Sequence, residues 1–87
     1  MPKSGRPVLR VVREVTGRVV SKNLLSQFVV VDFPLGALPE IGDQLAVRRD
    51  GATIAQLRVT GPIRGFLVIA DIAEGDPRPG DRVEQIR

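Results

Sequence analysis

Pro39-Glu40-Ile41-Gly42-Asp43-Gln44-Leu45-Ala46-Val47-Arg48-Arg49-Asp50-Gly51 is the stretch whose reading decides the fold. A turn ending in Gly42-Asp43 launches residues 44–49, which alternate with Leu45 and Val47 on one face, as a half-buried strand does. Asp50-Gly51 then suits a two-residue type I′ reversal, in which both central residues take positive φ. Residues 52–60 return with Ala55, Leu57 and Val59 on one face and Gln56 and Arg58 on the other. The first half of the stretch recurs 38 residues later as Pro77-Arg78-Pro79-Gly80-Asp81-Arg82-Val83. Gly tolerates the positive φ of a tight reversal, and the Asp beside it can accept bonds from nearby backbone amides. Leu45 and Val83, two residues past each Asp, are expected in the core. Two such turns with a hairpin between them predict a small all-β barrel.

Outward from the hairpin, the chain reads as short strands and punctuation. Residues 1–7 hold Pro2, Gly5 and Pro7 without hydrophobic pattern and are read as a flexible leader. Residues 8–87 then form a single small domain, with residues 8–15 as an edge strand or an arm. Arg18-Val19-Val20-Ser21 is the expected first core strand, followed by a loop over 22–26. Residues 27–33 are the most hydrophobic run, with Val on both faces, so both faces are expected to be covered. Phe28 and Phe33 bracket that run and are read as core. Pro34 ends the strand because it has no amide hydrogen for a ladder. Residues 35–43 are expected to fold Leu35, Leu38 and Ile41 over one mouth of the barrel, and residues 61–66 to form a loop between sheets. Residues 67–73 form a strand with Val68, Ala70 and Ile72 inward, and residues 81–86 close the barrel. The expectation is five core strands, six with the arm, and no helix.

Charge is unevenly placed. Residues 1–22 carry Lys3, Arg6, Arg10, Arg13, Arg18 and Lys22 against Glu14 alone, whereas residues 23–87 carry seven Arg against nine acids. A basic arm attracts nucleic acid or anionic surfaces by counterion release, and the same charge also keeps a short tail in solution. The chain has neither His nor Cys. The commonest general base, nucleophile and transition-metal ligands are therefore missing, and no catalytic, metal or cofactor-binding residue is assigned. Asp43 and Asp81 as a paired-acid site would need an Asp-Thr-Gly or Asp-Ser-Gly loop, and neither occurs. Glu74, Asp76 and Asp81 match no calcium-loop spacing. The expectation is a non-enzyme without cofactors.

No stretch approaches the ~20 apolar residues of a membrane span, and none follows Lys3 and Arg6 at signal-peptide length. The expected location is the cytoplasm if the chain is complete, and the cell envelope if it is a piece of a longer exported protein. The candidate interaction surface comprises Phe28 and Val30 on the Val-rich strand and Arg48, Arg49, Arg58, Arg64 and Phe66. Phe66 beside Arg64 is the best base-stacking candidate, with Arg48, Arg49 and Arg58 sharing an exposed hairpin face with it. Partners are a protein or a second copy, with nucleic acid as the alternative.

From Gly17-x-Val19 through Phe28-Val29-Val30-Val31-Asp32, Gly42-Asp43-x-Leu45-x-Val47, Arg49-Asp50-Gly51, Ala55-x-Leu57-x-Val59-Thr60 and Ala70-Asp71-Ile72 to Gly80-Asp81-x-Val83, the pattern resembles one known family. It is similar to the small SH3-like β-barrel at the C-terminus of the flagellar assembly protein T family and of related uncharacterised bacterial proteins. That resemblance covers roughly three-quarters of the chain, on strand-and-turn motifs of the kind that pattern small all-β domains. It implies a non-catalytic interaction module and supplies no ligand residues. The duplicated Gly-Asp-x-(Leu/Val) strands also resemble double-psi and other cradle-loop barrels, built from two intertwined halves. There Val47 aligns with Gln85, and the Asp50-Gly51 hairpin has no second copy, so the SH3-like reading is preferred.

Overall fold

The computed structural model describes residues 16–23, 25 and 27–86; the leader and the strand or arm expected over residues 8–15 lie outside them. Six strands are present among the described residues: β1 (Thr16–Asn23), β2 (Phe28–Asp32), β3 (Gln44–Arg49), β4 (Ala52–Arg64), β5 (Leu67–Gly75) and β6 (Arg82–Gln85). They close a barrel in the order β1-β2-β5-β4-β3-β6, with every neighbouring pair antiparallel. The segment expected to close the barrel does so as β6, which lies between β1 and β3 and pairs with both.

The period-2 patterns place the core where the alternation says. Leu45 and Val47 from β3, Ala55, Leu57 and Val59 from β4, Val68 and Ala70 from β5 and Val83 from β6 meet Val19, Val29, Val31 and Phe33 inside the barrel. Leu38, Ile54, Ile63 and Ile72 pack against that cluster from its margins. Almost all of these side chains are aliphatic and several are β-branched, which suits a narrow interior that short strands can fill. The hairpin turn is as expected, with Asp50 at φ 54° and Gly51 at φ 83°.

Four local readings need correction. Phe28 is not core: it stands on the outer face of β2 and is half-buried, while Phe33 is fully inside. Alternation forces this, since Val29 and Val31 hold the inner positions of the same strand. The outer face of β2 is accordingly half-buried rather than covered. Leu38 does fold over the barrel mouth, with buried Pro39 beside it, but Leu35 and Ile41 point outward and are exposed. Residues 61–66 are not a loop between sheets. β4 continues to Arg64, and Val59 pairs with Ala70 while Ile63 pairs with Val68, so β4 absorbs two extra residues in a bulge. Gly61 (φ 78°) and Pro62 occupy it, where no ladder amide is required and the strand can bend.

Backbone pairing shows two matching halves that sequence alignment had set aside. The β2–β5 ladder is centred on Val30 opposite Ile69, and the β3–β6 ladder on Ala46 opposite Glu84. About those two points β1, β2 and β3 correspond to β4, β5 and β6. Arg18 opposite Asp32 corresponds to Arg58 opposite Asp71, and Val19 opposite Val31 to Val59 opposite Ala70. The Val47–Gln85 mismatch concealed this because Val47 is buried and Gln85 only half-buried at the barrel end. The β3–β4 hairpin remains without a counterpart among the described residues.

The β1–β2 corner depends on the absence of one side chain. A Cβ on Gly17 would collide with the Asp32 carbonyl and lie 3.1 Å from two Phe33 ring carbons. Gly17→Ala is expected to cost about 1–3 kcal/mol by overpacking, measured as a lower urea midpoint with unchanged m-value.

Candidate interaction surfaces

Both Gly-Asp turns are built alike, atom for atom. In the first, the Glu40 amide donates to the Asp43 carboxylate at 2.9 Å and the Asp43 amide donates to the Glu40 carbonyl at 3.0 Å. In the second, the Arg78 amide donates to the Asp81 carboxylate at 2.8 Å and the Asp81 amide to the Arg78 carbonyl at 3.0 Å. Gly42 and Gly80 carry φ of 97° and 94°. Each turn then exchanges two backbone bonds with a strand of the barrel. Gly42 donates to the Val59 carbonyl at 2.8 Å and Val59 to the Asp43 carbonyl at 2.9 Å; Gly80 donates to Val19 at 2.8 Å and Val19 to Asp81 at 3.0 Å.

The environments of the two acids differ. Asp43 is half-buried and has no ion pair among the described residues. Asp81 is only 8% exposed and receives Arg49 in a two-point grip, Nε to Oδ1 at 2.9 Å and Nη2 to Oδ2 at 2.7 Å. Arg49 Nη2 also donates to the Asp76 carbonyl at 3.3 Å. The hydrogen bond from Arg49 holds the Asp81 carboxyl below the usual carboxylate range, against the opposing pull of burial. The same bond raises the Arg49 guanidinium. Asp76, which is exposed, is lowered by its hydrogen bond with Lys22. No group of three or more carboxylates is placed to hold a metal ion among the described residues.

The seven residues singled out from the sequence do not form one surface. Phe28 and Val30 face outward from β2, beside Leu67 and Ile69 of β5. Phe66, 52% exposed, sits in the tight β4–β5 turn, where its carbonyl accepts the Phe33 amide at 2.9 Å. Arg64 is next to it, on β4 opposite Leu67. Arg58 lies on the outer face of β4, opposite Asp71 on one side and Gln44 on the other. These five therefore surround the outer β2–β5–β4 face, although Phe28 and Phe66 lie at opposite ends of it.

Arg48 and Arg49 belong elsewhere. Arg48 folds back on the hairpin tip, donating to the Gly51 carbonyl at 2.7 Å and to Thr53 Oγ1 at 3.2 Å. Arg49, the next residue along β3, alternates to the opposite side, toward Asp81. The expectation that Arg48 and Arg49 share a face with Arg58 and Phe66 overlooked alternation, which sends adjacent strand residues to opposite faces.

Sequence reasoning missed Leu67 and Ile69 as outward apolar residues, although inward Val68 and Ala70 imply them by alternation. It also missed Arg18 and Arg82 as neighbours, because that contact joins β1 to β6 and requires barrel closure. No protein-family model matches the chain, and no curated protein matches it either.

Asp81→Ala should destabilise by about 1.5–3 kcal/mol, because it removes the two charge-assisted bonds from Arg49 and the turn bond from the Arg78 amide. Asp43→Ala should cost only about 1 kcal/mol. Chemical denaturation of both variants checks the difference. The pH dependence follows from the lowered Asp81 value. Unfolded Asp protonates near about 3.9, and the folded carboxyl protonates below that. The contribution is thus full above the unfolded value and disappears as pH falls through the folded one. Wild-type stability should fall as pH drops below about 4, with a shallower fall in Asp81→Asn.

Proposed function

We propose that this barrel is a non-catalytic protein-interaction module that self-associates through the outer β2–β5 face. The observation that carries the proposal is the paired layout of that face. Val30 and Ile69 are directly opposite at its centre, with Phe28 and Leu67 in corresponding places on either side. All four are apolar and none is fully buried. Asp32, opposite Leu67, and Asp71, opposite Phe28, fence the strip with charge. An apolar centre inside a charged rim is how contact surfaces are built.

A second copy fits because an isologous contact requires a self-complementary patch. A patch with its own two-fold layout supplies every contact in duplicate. Burying it removes apolar area from water and covers the outer side of the most hydrophobic strand, which otherwise invites edge and face aggregation. The SH3-like reading and the likeness to the C-terminal domain of the flagellar assembly protein T family belong to the same proposal, supported by the Asp50-Gly51 hairpin, whereas the two matching halves favour the cradle-loop alternative.

Light scattering over a dilution series should show a dimer that dissociates on dilution, and Ile69→Lys should be monomeric throughout with an unchanged far-UV spectrum. A wild-type protein that stays monomeric at its solubility limit overturns the proposal.

A further inference from the structure

A different feature lies in how the two halves of the barrel divide the strand pairing. Residues 16–49 supply β1 to β3, and residues 52–86 supply β4 to β6. Within each half, among the described residues, only two strands pair: β1 with β2, and β4 with β5. β3 finds both of its partners, β4 and β6, in the other half. β6 does the same with β1 and β3. Each half supplies six of the twelve buried hydrophobic side chains, so neither encloses a core alone. The Arg49–Asp81 grip also crosses between halves. A half is completed by the complementary half, and none of these ladders requires that it come from the same chain.

The halves are joined through the two-residue turn Asp50-Gly51. Its closed form holds Asp50 at φ 54° and Gly51 at φ 83°, where an L side chain is disfavoured. Arg49 and Ala52 stand directly opposite each other at its base. Once the turn straightens, β3 and β4 run on as one strand. Two such strands from two copies pair antiparallel, with Arg49 opposite Ala52 of the second copy and Asp50 opposite its Gly51. The register of the closed hairpin is kept. Asp50 is released from positive φ, and the ladder runs through the former turn.

We propose that copies of this chain exchange halves through the Asp50-Gly51 hinge. β1–β3 of one copy close a barrel with β4–β6 of a second copy, and the reverse. Every contact between halves, the Arg49–Asp81 grip included, then re-forms between chains. Exchange of identical elements is a low-cost route to a dimer, and short hinges invite it. This contact is independent of the outer β2–β5 face, which both barrels of the exchanged dimer still present. The closed form competes because the short link holds the halves at an effective concentration on the order of millimolar. Passing from one form to the other dismantles every ladder between halves. Exchange therefore occurs during folding and is slow in the folded protein.

The test refolds the full chain from urea at ~1 µM and at ~1 mM, then dilutes both samples for light scattering. A dimer through the outer face dissociates on dilution, whereas the exchanged dimer should persist and should arise only in the concentrated sample. Gly51→Val, which opposes positive φ, should shift the balance toward this dimer about tenfold. The exchange itself is read in the full chain carrying Ile69→Lys, Val31→Cys and Val68→Cys. Val31 and Val68 are buried, directly opposite and in different halves, and the sequence has no Cys of its own. After concentrated refolding and oxidation, denaturing electrophoresis should show a covalent dimer; after dilute refolding, it should show a monomer linked to itself. The proposal is overturned if no persistent dimer forms in either the wild-type chain or Gly51→Val. It is equally overturned if the persistent dimer carries its links within single chains. Both results leave the outer-face dimer standing, because that one is measured on protein that has not been unfolded.

Discussion

The pair of backbone bonds that each Gly-Asp turn exchanges with the strand it crosses is the constraint on which the barrel depends. β3 and β6 are short strands, and each must enter the sheet with its apolar side chains inward. A slip of one residue would turn Leu45, Val47 and Val83 to solvent together. Val59 and Val19 prevent this by holding Gly42-Asp43 and Gly80-Asp81 at fixed register, two residues before the first inward side chain. The Asp carboxylates complete each turn by accepting the amide three residues back. The most local chemistry in the molecule thereby sets a non-local pairing, the β3–β6 ladder that joins the halves.

One of these equivalent turns has acquired an additional partner. Alternation turns Arg49 away from Arg48 and across to Asp81, tying together segments 32 residues apart. The gripped carboxylate is nearly buried, so its charge is affordable only with its hydrogen bonds satisfied. Asp43 keeps contact with water and needs no such partner. Two turns with the same internal bonds thus differ in how strongly they couple to the rest of the barrel.

The outer surface divides by chemistry. Around Val30 and Ile69 it is apolar with an acidic fence, and around Arg82 it is cationic and without apolar anchors. The barrel interior is filled almost wholly by aliphatic side chains, with Phe33 among them, and the polar groups stand at the outward positions of the same strands.

Much of the fold was legible along the chain. The alternation in residues 44–49 and 52–60, the Asp50-Gly51 reversal and the Gly-Asp launches are local rules, and inward Leu45, Val47, Leu57 and Val59 follow from period 2. The candidate surfaces were legible only in part. Val30 and Phe28 were marked as possible contacts, but the continuation of β4 through Gly61-Pro62 was hidden, because a bulge lets a strand pass residues that otherwise read as a break. By itself, the sequence determined that short strands would form, where they would reverse and which side chains would seek the interior, since those depend on neighbours within a few residues. Only the tertiary structure decided that Val30 meets Ile69 and that Arg18, Arg82 and Arg48 stand side by side. Those contacts exist only once the sheet has closed on itself and brought distant strands within hydrogen-bonding distance.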